Sequence, residues 1–163
     1  MKKIYLAGPD VFREDAIEHG KLLVKKCANI GCKGLYPMDN VITGNSALEI
    51  AIAIRKANIQ MLKDCDAVIA NIEPFRGPGA DNGTTYEIGF ADALNKPVIL
   101  YSNNALQYKD RIHEKILIDN KYVDMDDLII EDFGLSDNLM FGTHPVYPSF
   151  DTALDAMRLI LGE

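Results

Sequence analysis

The stretch Asp81-Asn82-Gly83-Thr84-Thr85-Tyr86-Glu87-Ile88-Gly89 holds the residues best suited to chemistry. It follows the breaker-rich loop Glu73-Pro74-Phe75-Arg76-Gly77-Pro78-Gly79 and opens an apolar segment, so two carboxylates fall near the start of a helix. Asp81 has the type and place of an N-cap, and acids in the first turns complement the helix dipole. Two features point beyond capping. Glu87 precedes Ile88 and the run Gly89-Phe90-Ala91, so its side chain is expected to point inward. Gly83 and Gly89 remove bulk on either side, as a close-approaching ligand requires. The dipole is expected to keep Glu87 ionised at neutral pH, the state of a nucleophile and not of a general acid. Two carboxyls in one cleft suggest a division of labour, one attacking a glycosidic carbon and one handling the leaving group's proton.

Other chemistries find no support. Gly8 is followed by Pro9-Asp10-Val11 without dinucleotide-binding spacing, and no phosphate-cradling GxxxxGK[ST] occurs. Arg76, at a Gly/Pro loop tip, is expected to face solvent, and the scarcity of other cations nearby argues against a phosphorylated ligand. Cys27, Cys32 and Cys65 form no CxxC pair, and His19, His113 and His144 are scattered. These are expected to be reduced thiols near a core, with no metal site and no cofactor.

The elements around this segment alternate. Lys3–Ala7 reads as a buried strand ended by Gly8-Pro9, then a helix from about Phe12 to Ile30 closed by Gly31. Leu35–Pro37 reads as a second strand, Met38–Asn45 as loop, and Ser46 as the N-cap, with Glu49, of a helix to Lys63. Ala67–Ile72 is a continuous apolar run, the mark of a central parallel strand. Asp81–Asn95 is the next helix and Pro97–Tyr101 the fourth strand. Ser102–Asp137 reads as an irregular insertion, with one helix around Lys109–Ile118 and a short strand at Leu128–Ile130. A fifth strand near Pro145–Tyr147 and a helix from Ser149 to Leu161 close the chain. The pattern predicts one domain over 1–163, a doubly wound, flavodoxin-like α/β fold with an open parallel sheet of about five strands. In such sheets ligands bind at the carboxyl ends of strands, here Gly8–Phe12, Met38–Asn40, Glu73–Asp81 and Ser102 onward.

The 163 residues carry a net charge of −7, which disfavours nucleic acid and anionic membrane as partners. The apolar run at the start is too short for a signal peptide and no stretch reaches membrane-spanning length, so a cytoplasmic protein is expected.

Five segments in order resemble the nucleoside 2-deoxyribosyltransferase family: Lys3–Pro9 with Phe12, Tyr36–Asn40, Ile54–Asn58 before the Asp66–Ala70 strand, Asp81-x-Gly-x-x-x-Glu87-x-Gly89, and Asn138–Met140. The resemblance covers nearly the whole chain. It implies transfer of 2-deoxyribose between nucleobases of 2′-deoxyribonucleosides through a covalent glycosyl-enzyme. Under it Glu87 is the nucleophile, Tyr5 the hydroxyl that holds it, and Asp81 a ligand of the sugar and base region. Phe12 neighbours the base, Asn138 binds the 5′-hydroxyl and Met140 lines the site. The last two would reach a neighbouring subunit's site, implying a homo-oligomer. Asn58 is taken with Gly83 as substrate-binding, but it departs from the pattern, because some members carry there an aspartate thought to help protonate the departing base, which an amide cannot do. Two alternatives stay open. One is a 2′-deoxynucleoside 5′-monophosphate N-glycosidase, which would need a phosphate loop where this chain has Asp10. The other is a nucleoside-binding domain without turnover.

Overall fold

The computed structural model describes residues 1–40 and 42–162. Its frame is a five-stranded parallel sheet. β1 (Lys3–Ala7), β2 (Lys33–Leu35), β3 (Ala67–Asn71), β4 (Val98–Tyr101) and, after a later hairpin, β7 (Val146–Tyr147) lie in the order β2-β1-β3-β4-β7. All four pairings are parallel. The first four strands have the flavodoxin-like order, with strand order reversing at β1 and β3. The helices are α1 (Ala16–Asn29), α2 (Ala47–Asp64), α3 (Asn82–Ala93) and α4 (Phe150–Leu161).

Side chains of a strand alternate between faces, so the sheet carries two cores. Ile4, Leu6, Ile69 and Ile99 pack with Leu23, Leu154 and Met157 of α1 and α4. Tyr5, Ala7, Val68 and Leu100 pack with Leu62 of α2 and Ile88 and Ala91 of α3. Tyr5 therefore meets α3 by the same alternation that buries Ile4 on the opposite side. The predicted caps form: Ser46 Oγ accepts from Glu49 N at 3.2 Å, and Gly31 takes φ +79° past the end of α1. The three cysteines are buried.

The structure corrects several boundaries. Pro9–Phe12 is a separate 3-10 turn, so α1 begins at Ala16 instead of near Phe12. β2 ends at Leu35, and Pro37–Asp39 is a second such turn. The helix expected over Lys109–Ile118 is absent. Tyr108–Arg111 is a 3-10 turn, and β5 (Lys115–Ile118) pairs antiparallel with β6 (Lys121–Asp124). Asp119 and Asn120 both take left-handed φ of +48° and +64°, the geometry of a tight hairpin turn. The strand expected at Leu128–Ile130 is reduced to a bridge between Val123 and Ile129.

Candidate active site

At the carboxyl ends of β1, β2 and β3 lies a cavity of about 470 Å³. Gly8, Val11 and Phe12 line it from the turn after β1, and Pro37, Met38 and Asn40 from the turn after β2. Ile54 and Asn58 of α2 and Asp81, Gly83, Thr84 and Glu87 of α3 complete it. The structure thus brings together Glu87, Asp81, Gly83, Asn58 and Phe12. Tyr5, fully buried, reaches them from beneath.

On α3, Thr84, Ile88 and Ala91 are buried against the sheet, and Glu87 shares that inward side. Tyr5 Oη donates to Glu87 Oε1 at 2.6 Å. The Asn58 amide faces the same carboxylate. Asp81 is the N-cap: its Oδ2 accepts from Thr84 N at 2.9 Å and from Thr84 Oγ1 at 3.1 Å. Capping and a place in the cavity wall coexist, because both of these bonds use Oδ2.

The electrostatics correct one expectation. Burial pushes the Glu87 carboxyl from 4.5 up to about 7, with the charge of Asp81 adding to the rise. The Tyr5 hydrogen bond and the Asn58 amide oppose it. Glu87 therefore titrates near neutrality instead of staying fully ionised. The helix dipole loses because it acts chiefly in the first turn, whereas Glu87 lies in the second and is shielded from water. Burial first, then Glu87's charge and hydrogen bond, holds the Tyr5 hydroxyl far above its ordinary range, so it stays a donor.

Asn138 and Met140 are not brought to Glu87 within one chain. They line a separate cavity of about 430 Å³ on the outer side of α3, with Asn82, Thr85, Tyr108 and Asp137. Asn138 Nδ2 donates to Glu131 Oε1 at 2.8 Å, and Met140 is 77% exposed. Gly89 belongs to this second cavity, not the first.

Residues that sequence reasoning missed shape the walls. Asp10, expected as a charge in the ligand's way, is instead buried beneath its turn. It accepts from Asn71 Nδ2 at 2.9 Å and lies 3.2 Å from His19 Nε2. Thr84 and Ile54 fall within the segments singled out above but had no role assigned, since a threonine one turn into a helix and an isoleucine on an amphipathic one look structural; both line the cavity. Arg76 is exposed as expected, but its guanidinium lies over the rings of Phe75 and Phe12. Among the described residues no cluster of His, Cys, Asp or Glu could hold a metal ion, and no helix is long and apolar enough to cross a membrane.

Comparison with known proteins decides the family. The model of the nucleoside 2-deoxyribosyltransferase family matches residues 4–140. The chain belongs to this family. A 2-deoxyribosyltransferase from Leishmania mexicana is similar along both chains, at 32% identity over 98% of each with a TM-score of 0.82. A conserved protein from Enterococcus faecalis shares the fold, at 22% identity, 98% and 99% coverage and a TM-score of 0.66. An uncharacterized protein of Schizosaccharomyces pombe is 31% identical over 113 residues, 67% of this chain. The match spans about half of that relative's length, 54%. In this nucleoside 2-deoxyribosyltransferase family member, the matched region contains Tyr5, Phe12, Asn58, Asp81, Glu87, Asn138 and Met140.

Proposed function

We propose that the protein transfers 2-deoxyribose between nucleobases, with Glu87 as covalent nucleophile. The observation that carries this reading is a carboxylate in a cavity wall, oriented by a buried tyrosine hydroxyl at 2.6 Å. A Glu87 oxygen bonds to C1′ while the C1′–N bond breaks and its electron pair leaves with the base, which takes up a proton. A second base then attacks C1′ with a ring-nitrogen pair and loses its N–H proton, and the ester pair returns to Glu87. Two inversions give net retention. Asp81, whose capping bonds use only Oδ2, binds the sugar or exchanges that proton in this reading; the Asn58 amide can hydrogen-bond substrate but has no proton to exchange.

The Leishmania protein's name, 2-deoxyribosyltransferase, supports transfer over hydrolysis. Among the described residues no carboxylate besides Asp81 and Glu87 lines the cavity to activate water, so a bound base should win by proximity. With deoxyinosine and saturating adenine, deoxyadenosine formation is expected to exceed release of free deoxyribose. Dominant free sugar would make the protein a hydrolase, and no turnover would make it a binding domain.

We further propose a cytoplasmic homo-oligomer in which Asn138 and Met140 complete a neighbour's site. Apolar residues left exposed support it, among them Leu48 and Ile52 of α2 and Leu117 of the hairpin at 70%, 58% and 60%. A sedimenting species of one subunit that is fully active at assay concentration would contradict this.

A further inference from the structure

We propose that Phe75 and Arg76 are base-recognition residues, forming with Phe12 a stacked rim against which the flat face of a nucleobase is laid. This rests on the transferase reading and adds residues to it. Phe12 lines the cavity and Phe75 stacks on it, with ring centroids 5.1 Å apart and planes at 18°. The Arg76 guanidinium lies 4.6 Å from the Phe75 centroid and 5.2 Å from that of Phe12. Although stacked on one partner, Phe12 is 57% exposed. Arg76 makes no hydrogen bond or salt bridge among the described residues, so its N–H groups are available to the carbonyl and ring-nitrogen acceptors of a base edge.

The rim is held from below. Phe75 N donates to Gly79 O at 2.9 Å, closing the loop on itself. The buried Arg111 donates from Nη1 to Pro78 O at 3.1 Å, and Ala80 N donates to Asp137 Oδ2 at 2.9 Å. Asn71 ties this loop to the other: its Oδ1 accepts from Glu73 N at 3.0 Å while its Nδ2 donates to Asp10 beneath the Phe12 turn. The two loops are therefore linked by polar contacts below and by the rings above. Arg76 itself takes φ +55°, a left-handed conformation that residues with a Cβ avoid. Phe75 and Arg76 line an adjoining cavity that shares Asp81 with the first, and a glycine would suit position 76 better for folding alone, so strain beside Phe12 and Asp81 points to function.

The experiment is direct titration of free adenine and hypoxanthine into the protein, together with the acceptor KM and kcat of base exchange. Arg76→Ala and Phe75→Leu are expected to weaken base binding and raise acceptor KM roughly tenfold or more, with a smaller fall in kcat. Arg76→Lys should resemble Arg76→Ala, because the ammonium has no planar fork to stack. Arg76→Gly should lose affinity equally while its Tm stays within about 3 °C of the parent, since relief of the left-handed strain offsets the added chain freedom. Wild-type affinity in Arg76→Ala, or its restoration in Arg76→Lys, would overturn the proposal. If the parent protein neither binds bases nor exchanges them, it is the transferase reading that has failed. If exchange is intact and base affinity is insensitive to Arg76, only the rim has.

Discussion

Glu87→Ala is expected to lower base exchange by at least about a thousandfold, the usual order of loss when a covalent nucleophile is removed. Deoxynucleoside binding should survive, because the cavity walls come from the turns after β1 and β2, from α2 and from the start of α3, and not from this side chain alone. A variant that keeps a tenth of the parent rate would rule the role out. Glu87→Gln should be equally inactive, since a neutral amide is no nucleophile, and it carries a stability signature as well. The carboxyl's pKa is raised from 4.5 to about 7 by burial. An acid raised on folding gives its full stabilising contribution below about pH 4.5 and loses it as pH climbs through about 7. The glutamine variant has no such titration. Its stability relative to the parent should therefore improve from pH 4 to pH 8 by on the order of 2 kcal/mol. Denaturant unfolding at the two pH values checks this, and a pH-independent difference would contradict it.

Tyr5→Phe is expected to cost roughly ten- to a hundredfold in kcat/KM at pH 7, with a displaced pH profile. The phenol is fully buried and its hydroxyl donates to Glu87 at 2.6 Å. That bond lowers the Glu87 pKa against the burial that raises it. Without it burial acts unopposed by the hydroxyl, the carboxyl moves above about 7, and less of it is ionised at pH 7. Activity depends on the ionised form, so the acidic limb should shift upward and part of the lost rate should return as pH rises. A profile of kcat/KM against pH for parent and variant measures this directly. An unmoved limb would mean that the hydroxyl orients without tuning, and an unchanged rate that it does neither.

The parts of the fold set by local pattern could be read from the residues. Continuous apolar runs such as Ala67–Ile72 and cap pairs such as Ser46 with Glu49 announce their elements directly. The strand-end rule points to three of the four walls of the cavity, at Gly8–Phe12, Met38–Asn40 and Asp81. Asp81, Glu87 and Gly83 were legible because two acids and a glycine at the start of an apolar helix are hard to explain by folding alone. The hairpin was missed because Ile116, Leu117 and Ile118 are contiguous and show neither period, and the turn signal of Asp119-Asn120 was passed over. The burial that raises Glu87's pKa was also out of reach, as it depends on β1, α2 and α3 converging. Asp10 was misjudged for the same reason: its charge is visible in the sequence, its burial against Asn71 is not.

In this mechanism Glu87 carries the sugar between the two bases. Mixing the protein with a 2′-deoxynucleoside in the absence of acceptor base, quenching in acid and analysing proteolytic peptides by mass spectrometry tests it. One deoxyribosyl group is expected on the peptide containing Glu87, with free base released in a burst equal to the enzyme concentration and the adduct cleared on adding a second base. A deoxyribosyl group on another residue, or exchange proceeding with neither burst nor adduct, would contradict it.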